Sequence, residues 1–369
     1  MLTAFIACLA LGPKPSVQVS GVIPKFFVKA DGTVLVSGGN GPDMVPGLDW
    51  KTQSEVHFMK VALPGPVRQL DATSSQVLAL MEDGTIYAWG SSSHSILGNG
   101  VGKTNKPFKL SGFEDIVQIG IGFDHAAALR KDGKVLTWGQ RTYGVLGDGK
   151  DNDQEDGTPR EVAGLSDITS ISVGGRTTLA LRKDGTVWAW GCNAVGQLGQ
   201  GRTSRCIATP VQVKGLSGVK QISADKNDNG ANAVITSDGR VWVWGSNNSA
   251  MLGNGQLTGL TSMPVLMKGV SAAKQVVNGY GFITVVHANG KVTNWGFNGF
   301  GGLGVGNYGS YNLKPMQPNV SDIAAAYASG YATFLVKTNG TVLWSGGPDG
   351  SKTGTMSKKA RNFTPVAIP

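Results

Sequence analysis

A short phrase returns seven times in this chain of 369 residues and leaves few folds open to it. Each copy opens with Asp-Gly or Asn-Gly, runs through a few β-type residues and usually ends on Trp-Gly. The dipeptides are Asp31-Gly32, Asp83-Gly84, Asp132-Gly133, Asp184-Gly185, Asp238-Gly239, Asn289-Gly290 and Asn339-Gly340. Successive copies are 52, 49, 52, 54, 51 and 50 residues apart. A period of this size across a whole chain marks an array of small sheet units, none able to bury its own apolar surface alone.

The third copy shows the grammar. Ile116 to Gly120 reads as a strand, Gly122-Phe123-Asp124-His125 as a turn, and Ala126 to Arg130 as a second strand. Asp132-Gly133 reads as a two-residue type I′ hairpin turn into a third strand, Val135 to Trp138. A fourth extended piece lies around Pro159 to Val162, where proline suits an outermost edge. Four strands per unit, repeated radially, make a β-propeller blade. The fold expected is therefore all-β, a seven-bladed propeller of four-stranded blades, as one domain over residues 13–369. Only Val17 to Lys29 precede the first dipeptide, and Thr364-Pro365-Val366 repeats the outer-strand phrase Thr209-Pro210-Val211. This predicts closure by pairing of N- and C-terminal strands, with one blade built from both ends.

Composition fits a turn-rich fold: 55 residues are Gly, and 15% are charged against about 25% in ordinary soluble domains. The net charge of +9 is not drawn into an arm. Its densest group is Lys352, Lys358, Lys359 and Arg361 in the last loop, so no nucleic-acid partner is expected. Residues 1–12, MLTAFIACLALG, are apolar without a cation, and read as a signal segment or an extra strand, too short to span a bilayer as a helix. With the low charge they point to an extracellular or periplasmic bacterial protein, with a virion or cytoplasmic place as alternatives. Cys192 and Cys206 share one loop of the fourth copy and are a candidate disulfide, two unpaired thiols being the other reading.

Phrases such as Asp184-Gly-Thr-Val-Trp-Ala-Trp-Gly191 followed by Asn193-Ala-Val-Gly-Gln-Leu-Gly199 resemble the repeat of the regulator of chromosome condensation family over residues 17–369. The resemblance is clearest at Trp190, Trp244 and Trp295 and looser at Trp89 and Trp138. It departs at Ser37-Gly38-Gly39 and at Trp344-Ser345-Gly346. It implies a seven-bladed ring, here expected as a bacterial or phage-type member. It also implies an alternative function, guanine-nucleotide exchange on a small GTPase. The founding member does this through a wedge on one blade, for which the even repeat spacing leaves little room.

Motifs beyond the repeat are few. The once-per-copy tryptophans, Trp344 included, read as packing between blades. Gly299 to Gly304 satisfies G-x-G-x-x-G but lacks the helix that would aim at phosphate. Asp225, Asn227 and Asn229 open a calcium-like phrase, the basis of a second alternative, a calcium-stabilised adhesin. Thr236 stands where a helical calcium loop needs Glu. No catalytic set or histidine pair at metal spacing recurs, so neither enzyme activity nor a cofactor is expected. The loops are uneven in aromatics: the last two copies hold Tyr280, Phe282, Phe297, Phe300, Tyr308, Tyr311 and Tyr331, and the third holds Phe123 and Tyr143. Aromatics on rigid turns are common interface anchors. The expectation is a non-enzymatic module that presents one loop face to a protein or cell-surface macromolecule. Its expected contacts are Phe123, Tyr143, Tyr280, Phe282, Phe297, Phe300 and Tyr331.

Overall fold

The computed structural model of the chain describes residues 17–21, 24–39, 44–46, 55–91, 93–227, 230–307, 309–347 and 360–369. The apolar residues 1–12, Asn229, Tyr308 and the lysines at 352, 358 and 359 lie outside these. The described strands form seven antiparallel sheets of four, each taking its strands in chain order. Blade 1 spans Val17–Lys60, blade 2 Val67–Lys109, blade 3 Ile116–Glu161, blade 4 Ile168–Gln212, blade 5 Val219–Leu266, blade 6 Ala273–Met316 and blade 7 Ile323–Val366. Apolar clusters lie between successive blades, as facing sheets require.

The expected mixed blade does not form. Val17–Ser20 and Lys25–Lys29 are two strands, paired from Val17↔Lys29 to Ser20↔Phe26, so the short N-terminal stretch already supplies the inner half of blade 1. Thr364, Pro365 and Val366 pair with Trp344, Leu343 and Val342 inside blade 7. N- and C-terminal strands therefore do not pair; two complete blades pack face to face. Val17, Val19 and Phe27 share a core with Phe334, Val336 and Trp344, and the Phe27 and Phe334 rings meet edge-on at 5.8 Å. The Ser329 hydroxyl donates to the Gly21 carbonyl, and Lys29 Nζ to the Pro369 carbonyl at 2.7 Å.

The dipeptide that marks each copy works differently from a type I′ turn. Gly32 has φ +80°, whereas Asp31 is not in the left-handed region. Gly32 N donates to Lys29 O and Lys29 N to Thr33 O, both at 2.9 Å, giving a three-residue loop whose last residue is left-handed. Asp31 Oδ1 accepts from the amide of Thr33 at 2.8 Å, and the equivalent bond recurs in all seven copies. Asn can make it as well as Asp, which explains Asn289 and Asn339. The glycine also meets the next blade. A Cβ on Gly32 would lie 2.5 Å from Pro66 Cβ, and Gly32 O accepts from Val67 N at 3.0 Å.

The recurring tryptophans tie each blade to the one before it. The indole N–H of Trp89, Trp138, Trp190, Trp244 and Trp295 donates at 2.7–3.0 Å to Met44, Ile96, Val145, Gln197 and Met251 carbonyls. Trp344 does not belong to this series. By register Ser345, opposite Thr333, matches Trp190, opposite Thr178, and the Ser345 hydroxyl donates to Gly301 O at 2.7 Å. Displaced by one residue, Trp344 points to the other sheet face and fills the closing seam with blade 1.

A second tie repeats along the inner strands. Gln118 Nε2 donates to Ile171 O while Gln118 Oε1 accepts from Ile171 N, both at 2.9 Å. Gln69 holds Ile119, Gln221 holds Val276 and Gln275 holds Ala326 in the same two-bonded way. Gln18 makes one such bond, to Arg68 O. Blade 4 has Ser170 and blade 7 has Ala325 at this position. The amide side chain thus imitates a β-ladder rung where no strand pairing exists. Gln118→Ala should leave the Ile171 amide and carbonyl buried without partners and cost roughly 2–4 kcal/mol. Exposed Gln256→Ala should stay within about 0.5 kcal/mol. Urea unfolding of the two variants checks this, and equal midpoints would contradict it.

Candidate functional site

Antiparallel order fixes which residues share a face. The turn joining the first two strands of a blade and the loop joining its last two emerge together; the Asp/Asn-Gly turns and inter-blade linkers emerge opposite. Phe123, Tyr280 and Tyr331 sit on or beside first-to-second turns, while Tyr143, Phe297 and Phe300 lie in or beside third-to-fourth loops. They therefore occupy one face.

Those loops are held rigid by local grammar. At Trp190, Trp244 and Trp295 the pairing with the outermost strand is interrupted, and it resumes at the following glycine. Gly191 adopts φ +107°, and a Cβ there would lie 2.4 Å from Arg176 O. Two residues past the Trp-Gly of blades 4, 5 and 6 comes an asparagine, where blade 3 has Arg141. Asn193, Asn247 and Asn298 are fully buried, and their Oδ1 atoms accept from Leu198, Leu252 and Leu303 amides at 3.1, 2.9 and 3.2 Å. Their Nδ2 groups donate to Arg202, Gln256 and Asn307 carbonyls. Each of these three loops is thus folded around one amide side chain, and the blade 3 loop around Arg141, bonded to Asp148 and Asp156.

Most of the predicted aromatics come together. Phe300 and Tyr331 rings lie 4.7 Å apart, Phe297 meets Phe300 at 5.8 Å and Tyr331 at 5.6 Å, and Tyr280 meets Tyr331 at 5.5 Å. Tyr311 joins through Phe297 at 5.5 Å. This is one patch across blades 6 and 7, with Tyr331 exposed and the others half-buried. Phe282 departs from the expectation. It is 1% exposed, tucked beneath Gly279 and Gly302, and supports the patch without offering a surface. As first residue of its strand, paired with Gly296, its ring is directed inward.

Phe123 and Tyr280 border the central channel mouth with Gly122, Gly174, Gly175 and Lys226. Lys226 was not anticipated. Its Nζ reaches from blade 5 to Asp71 Oδ2 of blade 2 at 2.9 Å and to Ile121 O of blade 3 at 3.2 Å. Asp71 Oδ2 also accepts from Ile121 N at 3.1 Å, and Asp71 Oδ1 accepts from the Ser20 hydroxyl at 3.1 Å. One carboxylate and one ammonium thereby bridge four blades at the mouth. No periodic signal marks this pair.

Tyr143 stands apart from the aromatic patch. Arg176 and Arg205 lie over its ring at 4.7 and 5.3 Å, and its amide donates to Asp151 Oδ1 at 2.8 Å. Arg176 Nε bonds Asp124 Oδ2 at 2.6 Å, Asp124 Oδ1 faces His94 at 3.5 Å, and Arg205 pairs with Asp151. Blades 2 to 4 thus offer an ionic half of the face, blades 6 and 7 an aromatic half.

Cys192 and Cys206 are cross-strand partners, and both are free thiols. Burial, aided by Asp151, pushes the Cys206 thiol up to about 11, and it donates to Asp151 Oδ2 at 3.1 Å. Asp225 Oδ2 accepts from Gly230 N at 2.9 Å, and Asn227 O accepts from the same amide, so these two groups close a turn. Their proposed calcium partner Asn229 is outside the described residues. His125 Nε2 meets Thr178 Oγ1 at 2.8 Å between blades 3 and 4, and complete burial pushes this imidazole down to about 4. His287 is engaged by Ser271 O and Thr293 Oγ1. The face offers rings, amides and ion pairs already joined to one another, an arrangement suited to contact more than to proton transfer.

Burial also pushes the Tyr280 phenol up to about 12, against 10.0 for the free side chain. Stability tied to its neutral form is fully present below pH 10 and is lost as pH rises through 12. Tyr280→Phe should therefore lose less stability than the parent over that window. Chemical denaturation at successive pH values measures it, and parallel curves would contradict the assignment.

Comparison with known proteins agrees with this geometry. The profile of the RCC1-like domain matches residues 14–317, and the chain belongs to that family. It is 28% identical over 319 residues to mouse E3 ubiquitin-protein ligase HERC2, covering 81% of this chain but 6% of HERC2. It is 30% identical over 223 residues to the Drosophila melanogaster regulator of chromosome condensation, covering 56% of this chain and 40% of that protein. The chain thus spans less than half the length of these relatives. Prp20p of Saccharomyces cerevisiae, whose structure was described with its binding to Gsp1p and histones, superposes with a TM-score of 0.72 at 22% identity, over 84% of this chain and 79% of the other. The curated relatives named are animal proteins, so the expectation of a bacterial or phage-type member finds no support in them.

Proposed function

We propose that this RCC1-like domain is a rigid module that captures a protein partner on its loop face, with the aromatic patch of blades 6 and 7 as the anchor. The observation that carries the reading is the continuous contact of Tyr280, Phe297, Phe300, Tyr311 and Tyr331 on loops that buried asparagines and glycines hold in place. Preformed loops have little conformational entropy left to lose when a partner docks. Phe123, at the channel mouth with Tyr280, extends the contact toward blade 3. Tyr143, clamped by Arg176 and Arg205, forms a separate ionic contact on the far half.

A second reading, nucleotide exchange on a small GTPase, draws on the likeness to Prp20p and its described binding of Gsp1p. It uses the same kind of rigid presentation and differs in outcome.

A Phe300→Ala/Tyr331→Ala variant removes the two most closely stacked rings of the patch. It should keep a cooperative thermal transition and weaken partner capture by on the order of tenfold or more. Affinity capture from cell extract, quantified by mass spectrometry for parent and variant side by side, tests this. Recovery of the same proteins in equal amounts would remove the patch as the anchor. Accelerated release of labelled GDP from a captured GTPase would establish the second reading.

A further inference from the structure

Among the described residues, seven of the eight exposed large apolar side chains fall on the rim of blades 5 and 6. Leu260, Met263, Val265 and Leu266 lie on the outermost strand of blade 5 (Leu260–Leu266), Leu313 and Met316 on that of blade 6 (Tyr311–Met316), each 36–47% exposed. Leu257 joins them. It stands two residues past Gly255, whose amide donates to the Leu313 carbonyl at 2.9 Å, so this blade 5 loop meets the edge of blade 6. The exposed aliphatics therefore lie on adjoining edges of both blades.

From the third strand of blade 5 through blade 6, charge has one sign. The 83 residues from Gly239 to Ser321 contain no Asp or Glu and five cations, Arg240, Lys268, Lys274, Lys291 and Lys314. Arg240 pairs with Asp238. The four lysines are exposed, and none appears in an ion pair among the described residues. Lys268 follows Leu266 by two residues, and Lys314 adjoins Leu313. Lys268 and Lys314 are therefore the cations beside the exposed aliphatics, while Lys274 lies on the innermost strand of blade 6 (Ala273–Asn278) and Lys291 follows its Asn289-Gly290 turn.

This combination narrows the occupant. The rim is a convex edge of outermost strands, so no groove awaits a helix or peptide. Pro264 and Pro315 interrupt those strands and oppose the addition of another strand. A second copy meeting it about a two-fold axis would set lysines against lysines. A surface that accepts aliphatic side chains and carries dense negative charge satisfies both features, as a bilayer with anionic headgroups does. We propose that the rim of blades 5 and 6 docks the propeller on an anionic lipid surface, leaving the loop face free for its partner.

Co-sedimentation of the full chain with phosphatidylcholine vesicles, with and without phosphatidylserine, tests this. Binding should need phosphatidylserine and fall as salt rises. Leu260→Ser/Leu313→Ser and Lys268→Gln/Lys314→Gln should each retain the thermal transition. The lysine pair should lower partitioning by roughly tenfold or more, and the leucine pair should lower it as well. Absence of binding to phosphatidylserine vesicles would overturn the proposal, as would binding that neither variant changes. A self-association abolished by the leucine changes, without vesicle binding, would reassign the rim to contact between copies.

Discussion

Neighbouring blades share no strand ladder among the described residues, so the ring depends on side chains that complete backbone hydrogen bonds across each seam. Two devices recur. An inner-strand glutamine grips both the amide and the carbonyl of the next blade, and an indole N–H reaches back to a loop carbonyl of the previous one. Apolar packing supplies most of the favourable free energy of such a seam, but it is non-directional and would tolerate sliding. The polar ties set the register between sheets, because a buried amide or carbonyl left unmatched is costly. Where they lapse, the ring uses substitutes: Ser345 replaces the indole in blade 7, and aromatic packing of Phe27, Phe334 and Trp344 serves the closing seam.

That rigidity is what the loop face inherits. In blades 4 to 6 the same repeat phrase that seats the indole folds the following loop around a buried asparagine, so scaffold and surface are built from adjacent residues. Differences between blades then decide what each sector offers. Large rings in blades 6 and 7 meet one another because equivalent loops of neighbouring blades lie side by side. In blades 3 and 4 the corresponding loops carry Tyr143 beneath Arg176 and Arg205, whose charges are met by Asp124 and Asp151. A partner covering both halves would meet apolar anchoring on one side and oriented charge on the other, the usual division between affinity and orientation.

Much of this architecture was legible in the amino-acid order. Blade number, strand count and inter-blade tryptophans follow from a period that local chemistry enforces at every copy. The errors have physical causes. The turn glycine carries the left-handed conformation alone, while the acidic residue before it caps an amide, and the dipeptide by itself does not separate these roles. Trp344 was displaced from its series because one residue of register reverses the face. Thirteen residues before Ala30 proved enough for two short strands, so no strand was owed by the other end. Phe282 and Phe297 look alike as aromatics at strand ends on the same face, yet the first is directed inward and buried. Lys226 and Asp71 are 155 positions apart and meet only because the ring brings every inner strand to one axis. The glutamines did leave a periodic trace, at 18, 69, 118, 221 and 275, masked by its gaps at Ser170 and Ala325.

The account rests on a preformed aromatic patch being the surface that a partner covers. Amide hydrogen exchange of the free protein and of its purified complex addresses this most directly. It predicts slowed exchange at Gly279 to Gly281, at Phe297 to Phe300 and around Tyr331, with the Asp/Asn-Gly turns of the opposite face unchanged. Protection confined to those turns and the inter-blade linkers, with the aromatic loops exchanging as before, would contradict it.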